Sequence, residues 1–296
     1  MAAIVVEGLR KSYGDLVAVD GVSFAVEPGE VFGLLGPNGA GKTTTVEILE
    51  GYRRRDGGTA SVLGVDPQTG GRALKQRMGL VLQELAVPPM LTVRELVEMY
   101  RGYYPAPRAT GEIIELVGLS DKADVRVKSL SGGQQRRIDL ALGLVGDPEL
   151  VFLDEPTTGF DPSARRNAWE IVRSMRALGK TILLTTHYMD EAQELADRIC
   201  VMARGRVVAE GKPDALRARA DSRTRIRFAL PPKVPVELLP VKARVEDGVA
   251  SLETTTPTRM LRDLTVWAVG LGLELDSLEV VRPSLEDVYL ELTRDG

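Results

Sequence analysis

The chain has 296 residues, 44% hydrophobic and 27% charged, with a formal net charge of −4; this suits a globular protein with room for about two domains and argues against a general nucleic-acid binder. No window approaches the roughly 20 consecutive apolar residues that span a bilayer, and the start Met1-Ala2-Ala3-Ile4-Val5-Val6-Glu7 lacks the regions of a signal peptide, so a cytoplasmic protein embedded in no membrane by itself is expected. The single cysteine, Cys200, leaves no internal disulfide to form, and its place between Ile199 and Val201 reads as an inert core thiol.

Residues 4 to 32 alternate short apolar runs with the turn signals Tyr13-Gly14-Asp15, Asp20-Gly21 and Glu27-Pro28-Gly29-Glu30, which predicts antiparallel strands. Tyr13 falls at the tip of one, where its ring either packs on the strand or stacks on an adenine. The apolar run Val31 to Leu35 leads into Gly36-Pro37-Asn38-Gly39-Ala40-Gly41-Lys42-Thr43-Thr44 and a helix-like segment from Thr45 to Glu50. Strand, glycine-rich loop and helix in that order make a phosphate loop. The glycines let successive N–H groups face a polyphosphate, and the helix adds its positive dipole end. Lys42 then neutralises the β- and γ-phosphates and the Thr43 hydroxyl holds Mg²⁺, so a nucleoside triphosphate is the expected ligand.

A hairpin is expected over Gly57 to Gly64, then a strand from Met78 that ends at Gln83. Apolar residues at helical spacing over 92–103, 110–119 and 133–145 predict a helical insert covering about 84–145. From Leu150 the pattern changes to almost wholly apolar strands, at 150–153 and 181–186, alternating with helices near 162–178 and 190–196. Such strands belong to a parallel sheet covered on both faces. A pair at 198–203 and 206–210 closes this domain. Arg217, Arg219, Arg223, Arg225 and Arg227 follow, read as a solvated helix face and a boundary. Strands near 224–230, 241–246, 249–254 and 274–281 with helices near 258–270 and 284–293 then make a small α+β domain. The expected domains are thus 1–222 and 223–296.

Two constellations carry chemistry besides the phosphate loop. Val151-Phe152-Leu153-Asp154-Glu155 is a buried strand ending in two acids, at the sheet edge where ligands bind in open α/β folds. Asp154 can accept from Mg²⁺-bound water, and Glu155 can orient and deprotonate an attacking water. Ser131-Gly132-Gly133-Gln134 opens the helix at 133–145 and offers a second anion site, with Ser131 as a simple N-cap the alternative. One nucleotide has one γ-phosphate, so two phosphate grips on a chain make sense if each copy lends the second to a twin.

With these residues assembled, the chain resembles the nucleotide-binding subunit of an ABC transporter, a P-loop NTPase with an α/β fold. It carries that family's motifs in order: the A-loop aromatic Tyr13, the Walker A loop Gly36 to Thr44, the Q-loop Gln83, the signature Leu130 to Gln134, Walker B Val151 to Glu155, the D-loop Thr158-Gly159-Phe160-Asp161 and the switch His187. The resemblance implies a parallel-sheet core, an antiparallel β subdomain and a helical insert. It also implies a head-to-tail dimer with two ATP molecules between the Walker loops of one chain and the signature of the other. Carried over residue by residue, Tyr13 stacks on adenine and Lys42 with the loop amides binds phosphates. Thr43, Gln83 and Asp154 serve Mg²⁺, Glu155 is the base, His187 contacts the γ-phosphate, and Asp161 joins the two halves.

Phe160, where many members have leucine, and Arg136, where glutamine often stands, depart from the pattern without removing a catalytic group. The phosphate loop, Thr157 to Pro162 and the tail Pro283 to Leu290 are similar to ATPase subunits of daunorubicin-resistance-type exporters, which work with separate ABC-2 type membrane permeases. That similarity implies a position on the inner face of the cell membrane through the permease. The alternative is a soluble ABC ATPase acting on nucleic acid or ribosomes, although such proteins usually carry two cassettes or long coiled coils.

Overall fold

The computed structural model describes residues 1–81, 87–219, 224–231 and 234–281; Gln83 and the helix expected at 284–293 lie outside them. The chain divides into two compact units, Met1–Pro213 and Asp214–Gly296. In order, the first contains β1 (Ile4–Tyr13), β2 (Leu16–Val26), β3 (Val31–Leu35), α1 (Lys42–Leu49), β4 (Gly57–Val62), α2 (Gly71–Lys75) and β5 (Met78–Val81). It continues with α3 (Val93–Arg101), α4 (Thr110–Leu116), α5 (Gly132–Leu144), β6 (Leu150–Asp154), α6 (Pro162–Ala177), β7 (Thr181–Thr186), α7 (Met189–Leu195), β8 (Arg198–Ala203) and β9 (Arg206–Gly211). Among the described residues, no helix is long and apolar enough to cross a membrane.

The central sheet runs β5-β6-β7-β3-β8-β9, parallel except for the antiparallel edge pair β8–β9. Its middle strands lack polar alternation because both faces are covered, and every residue of β3 and β7 is buried. The two-residue period still sorts them. Val151, Leu153, Ile182 and Leu184 belong to the core shared with α3, α4 and α5, whereas Phe152, Leu183, Phe32 and Leu34 belong to the core shared with α1 and the antiparallel sheet. That antiparallel sheet has the order β2-β1-β4, and Phe24 from it stacks on Phe32 with ring centroids 5.2 Å apart.

Register fixes what comes next. Leu35 pairs with Thr186, and Asp154 pairs with Thr185, so β6, β7 and β3 end on nearly one rung. The phosphate loop, the second acid of Walker B and the residue after β7 therefore leave the sheet side by side at its carboxyl edge.

Two local expectations fail. Asp20-Gly21 is a bulge inside β2 and not a turn, because Asp20 still pairs with Arg10, Val22 still pairs with Leu9, and Gly21 absorbs the shift at φ 73°. Residues 57–64 hold one strand, β4, whose partner is the distant β1 and not a neighbouring hairpin arm. Cys200 is fully buried in β8, and burial pushes its thiol up to about 12.

The second unit takes in most of α8 (Pro213–Arg219), which the sequence reading assigned to the first domain, then β10 (Thr224–Ala229), β11 (Arg244–Glu246), β12 (Val249–Thr254), α9 (Pro257–Gly270) and β13 (Glu279–Val281). Its sheet runs β11-β12-β10-β13. Ile226 and Phe228 of β10 pack with Ala250, Leu252 and Leu264, while Arg225 and Arg227 alternate to the exposed face. Part of the arginine-rich stretch is therefore the wet side of a strand.

Candidate functional site

The phosphate loop is shaped by one close approach. Gly41 takes φ 96° at the N-cap of α1, and a Cβ there would sit 2.4 Å from the Ala18 carbonyl oxygen of β2. Only glycine meets both conditions. Lys42, the next residue, is 4% exposed, and its Nζ donates to the carbonyl oxygens of Gly36 at 2.7 Å and Pro37 at 3.2 Å. The ammonium is thus folded over its own loop, 3.6 Å from Glu155 Oε1. Burial holds the Lys42 pKa below its ordinary value, and the carboxylates of Glu155 and Asp154 oppose that shift.

Glu155 is the strained member. It adopts φ 45°, in the left-handed region that costs a non-glycine residue about 1–3 kcal/mol. Its backbone N–H is held by the carbonyl and hydroxyl oxygens of Thr185 at 3.2 and 3.0 Å. The same Thr185 hydroxyl donates to Asp154 Oδ1, so one side chain orients both acids. Glu155 Oε2 accepts from Thr158 Oγ1 at 3.1 Å and lies 3.2 Å from His187 Nδ1, which lacks hydrogen-bond alignment to it. Desolvation raises the Asp154 pKa, the Thr185 hydrogen bond lowers it, and Glu155 adds repulsion.

Lys42, Asp154 and Glu155 stand at a cleft of about 640 Å³ whose walls also include Tyr13, Leu16, Val17, Ala18, Asn38, Gly39, Gly41, Thr43, Thr44 and Arg204, whereas His187 stands beside Glu155 and is not part of that lining. Of the other loop residues, Gly36 and Pro37 supply the carbonyls that hold Lys42, and Ala40 is buried in the core. The cleft offers an aromatic ring at one wall, backbone N–H groups at the start of α1, and a cation beside two carboxylates. The Thr43 hydroxyl and Asp154 carboxylate are hard oxygen donors of the kind Mg²⁺ takes alongside phosphate oxygens and water. No group of three or more His, Cys, Asp or Glu among the described residues could hold a metal without a ligand's help.

Ser131, Gly132, Gly133, Gln134 and Asp161 are not brought to this cleft. They line a second one of about 450 Å³, with Phe160 and Arg137. There Ser131 does act as the N-cap of α5: its hydroxyl accepts from Gln134 N–H while the Gln134 side chain accepts from Ser131 N–H. Asp161 caps α6, accepting from the N–H groups of Ser163 and Ala164 at 2.8 and 2.9 Å. The linings of the two clefts share no residue.

Three contributors escaped the motif reading. Thr185 had a signal, a hydroxyl directly after the apolar run Ile182-Leu183-Leu184 in a wholly buried strand. Glu191, fully buried in α7, accepts from Thr157 Oγ1 at 2.8 Å and Trp169 Nε1 at 3.2 Å and gave no local sign. Arg204 sits in a two-residue turn between β8 and β9 that reads only as a hairpin loop.

A family model described as "ABC transporter" matches residues 19–158, and one described as "ABC transporter domain-containing protein-like, C-terminal domain" matches residues 224–284. The chain is 43% identical over 300 residues to "Nod factor export ATP-binding protein I" of Paraburkholderia xenovorans, which covers 99% of this chain and 97% of that protein. It is 41% identical over 307 residues to a daunorubicin resistance ATP-binding protein of Streptomyces coeruleorubidus, covering 98% and 95%. Among solved structures, an ATP-binding cassette of an ABC transporter in its ADP conformation superposes with a TM-score of 0.65 at 25% identity, over 73% of this chain and 92% of that one. A dimeric cassette in a post-hydrolysis state, bound to ADP and Pi, shares the fold with a TM-score of 0.63 at 24% identity, over 71% and 98%.

Proposed function

The chain belongs to the ABC transporter family as an ATP-binding and ATP-hydrolysing subunit, and from that premise we propose that it powers export of a small molecule through a separate, ABC-2 type membrane permease. The observation that carries the mechanism is that Lys42 and Glu155 line one cleft, with His187 3.2 Å from Glu155, while Ser131 to Gln134 and Asp161 line another. Each copy then holds half of two active sites. Two copies associate head to tail, and the signature residues of one close on the ATP held by the other.

Within a site, Tyr13 stacks on the adenine, and the N–H groups from Asn38 to Thr44 with Lys42 cradle the phosphates. Thr43 and Asp154 would hold the Mg²⁺, with Gln83 assigned to the same shell by its motif alone, and the ion would supply positive charge against the phosphates. Glu155 takes a proton from the water that attacks the γ-phosphorus, and the bond to the bridging oxygen breaks to leave ADP and phosphate. His187 contacts the γ-phosphate and keeps the water in line. Binding closes the pair of chains and hydrolysis reopens it, which biases a permease docked at the helical insert between two states. The export names of the relatives support this direction of transport, and a place on the inner face of the membrane follows from the permease.

The test is Glu155→Gln, which keeps size and hydrogen bonding but removes the base. ATP affinity is expected to hold while turnover falls by about 10²–10⁴-fold. Turnover at the wild-type rate would place the base elsewhere.

A further inference from the structure

The rim of the nucleotide cleft carries an arginine that the motifs above do not use. Arg204 and Gly205 form the two-residue link between β8 and β9, and both have positive φ, 49° and 76°. Paired positive φ values in a two-residue hairpin favour Asn-Gly or Asp-Gly, because those residues tolerate the left-handed region. An arginine at the first position runs against that preference.

The turn is fixed in place. Gly205 N–H donates to Ala40 O of the phosphate loop at 3.1 Å, and Gly205 O accepts from Asp20 N–H of β2 at 2.8 Å. A Cβ on Gly205 would lie 2.8 Å from the same Ala18 oxygen that Gly41 approaches. The turn, the phosphate loop and β2 thus meet at one carbonyl, and Arg204 is carried on that junction as part of the cleft wall.

Its neighbours are spoken for. Arg206 pairs with Asp20 at 2.6 Å and Arg198 pairs with Glu30 at 3.0 Å, both in this strand pair. Lys42, the other cation of the cleft wall, is held by two carbonyls and Glu155. Arg204 is exposed and makes no hydrogen bond or ion pair to any described residue. A built turn, an unfavourable residue choice and an unpaired guanidinium on the wall of a nucleotide cleft have one common explanation.

We propose that Arg204 is a nucleotide-binding residue that delivers positive charge to the phosphate chain of ATP from the rim of the cleft. This rests on the ATP-binding reading above. The guanidinium matches phosphate oxygens in geometry and charge, and the rigid turn keeps it near them before the ligand arrives.

Arg204→Asn tests it cleanly, since asparagine suits the turn and the unfolding midpoint should stay equal or rise. Equilibrium binding of ATP and ADP is expected to weaken by about threefold to tenfold, the range of a partly exposed charge-assisted contact. Arg204→Lys should recover most of the loss, and the salt dependence of ATP binding should be shallower in Arg204→Asn than in wild type. Wild-type ATP affinity in Arg204→Asn would overturn the assignment, as would an equal loss for adenosine, measured by competition. Lys42→Ala serves as the reference: ATP binding lost in Lys42→Ala but unchanged in Arg204→Asn would overturn this assignment alone, whereas no ATP binding by the wild type would overturn the ATP-binding reading and this one with it.

Discussion

Glu50 closes the C-terminal end of α1 at 3% exposure, and burial, then the charges of Asp154 and Glu47, push its carboxyl up to about 8. The unfolded chain releases this proton near pH 4.5, whereas the folded chain keeps it until about pH 8. Stability from this group is therefore complete below pH 4.5 and is lost as pH rises toward 8. Glu50→Gln, which cannot ionise, is expected to flatten the fall of the thermal midpoint between pH 5 and 8 and to be at least as stable as wild type at pH 8. Parallel pH profiles for the two proteins would contradict it. At this scale the sequence was most readable where a residue's role is tied to its neighbours along the chain. Lys42 and Glu155 could be singled out from their loops, whereas the burial of Glu50 depends on what packs over α1 and left no trace in Ile48-Leu49-Glu50-Gly51.

The loop after β6, α6 and α7 are bound into one piece by Glu191, which draws donors from Thr157 and Trp169, 34 and 22 residues away in sequence. Burial raises its pKa while hydrogen bonding with Thr186, Thr157 and Trp169 lowers it. The same piece carries His187, which packs on Tyr188 with centroids 4.1 Å apart, and Arg165 of α6 covers the Tyr188 ring at 4.4 Å. Thr157→Val keeps the shape but leaves Glu191 one donor short, so unfolding free energy should fall by about 1–3 kcal/mol in a denaturant titration. No change would mean that Thr157 does not hold the carboxylate. The strands of the central sheet were legible because unbroken apolar runs have few other uses. β4 was misread because its partner lies about fifty residues upstream, and the bulge at Asp20-Gly21 because its dipeptide is also a common turn signal.

For the whole molecule, motif order pointed to the residues assigned to chemistry and to a second phosphate grip lent to a twin, and in the structure those two sets line separate clefts. What the structure adds is the wall itself: Ser131 opens α5 and Asp161 opens α6, and their helices line the second cleft at Leu140, Asn167 and Ala168. It also makes the shared-site reading testable without a permease. Ser131→Arg fills the second cleft and removes an N-cap worth about 1 kcal/mol, too little to unfold a helix built into the main core. The measurement is its turnover at saturating ATP, taken beside its ATP affinity. If sites are completed across two copies, affinity stays near wild type while turnover falls by about 10²-fold or more. Wild-type turnover by Ser131→Arg would mean that one chain completes the reaction alone.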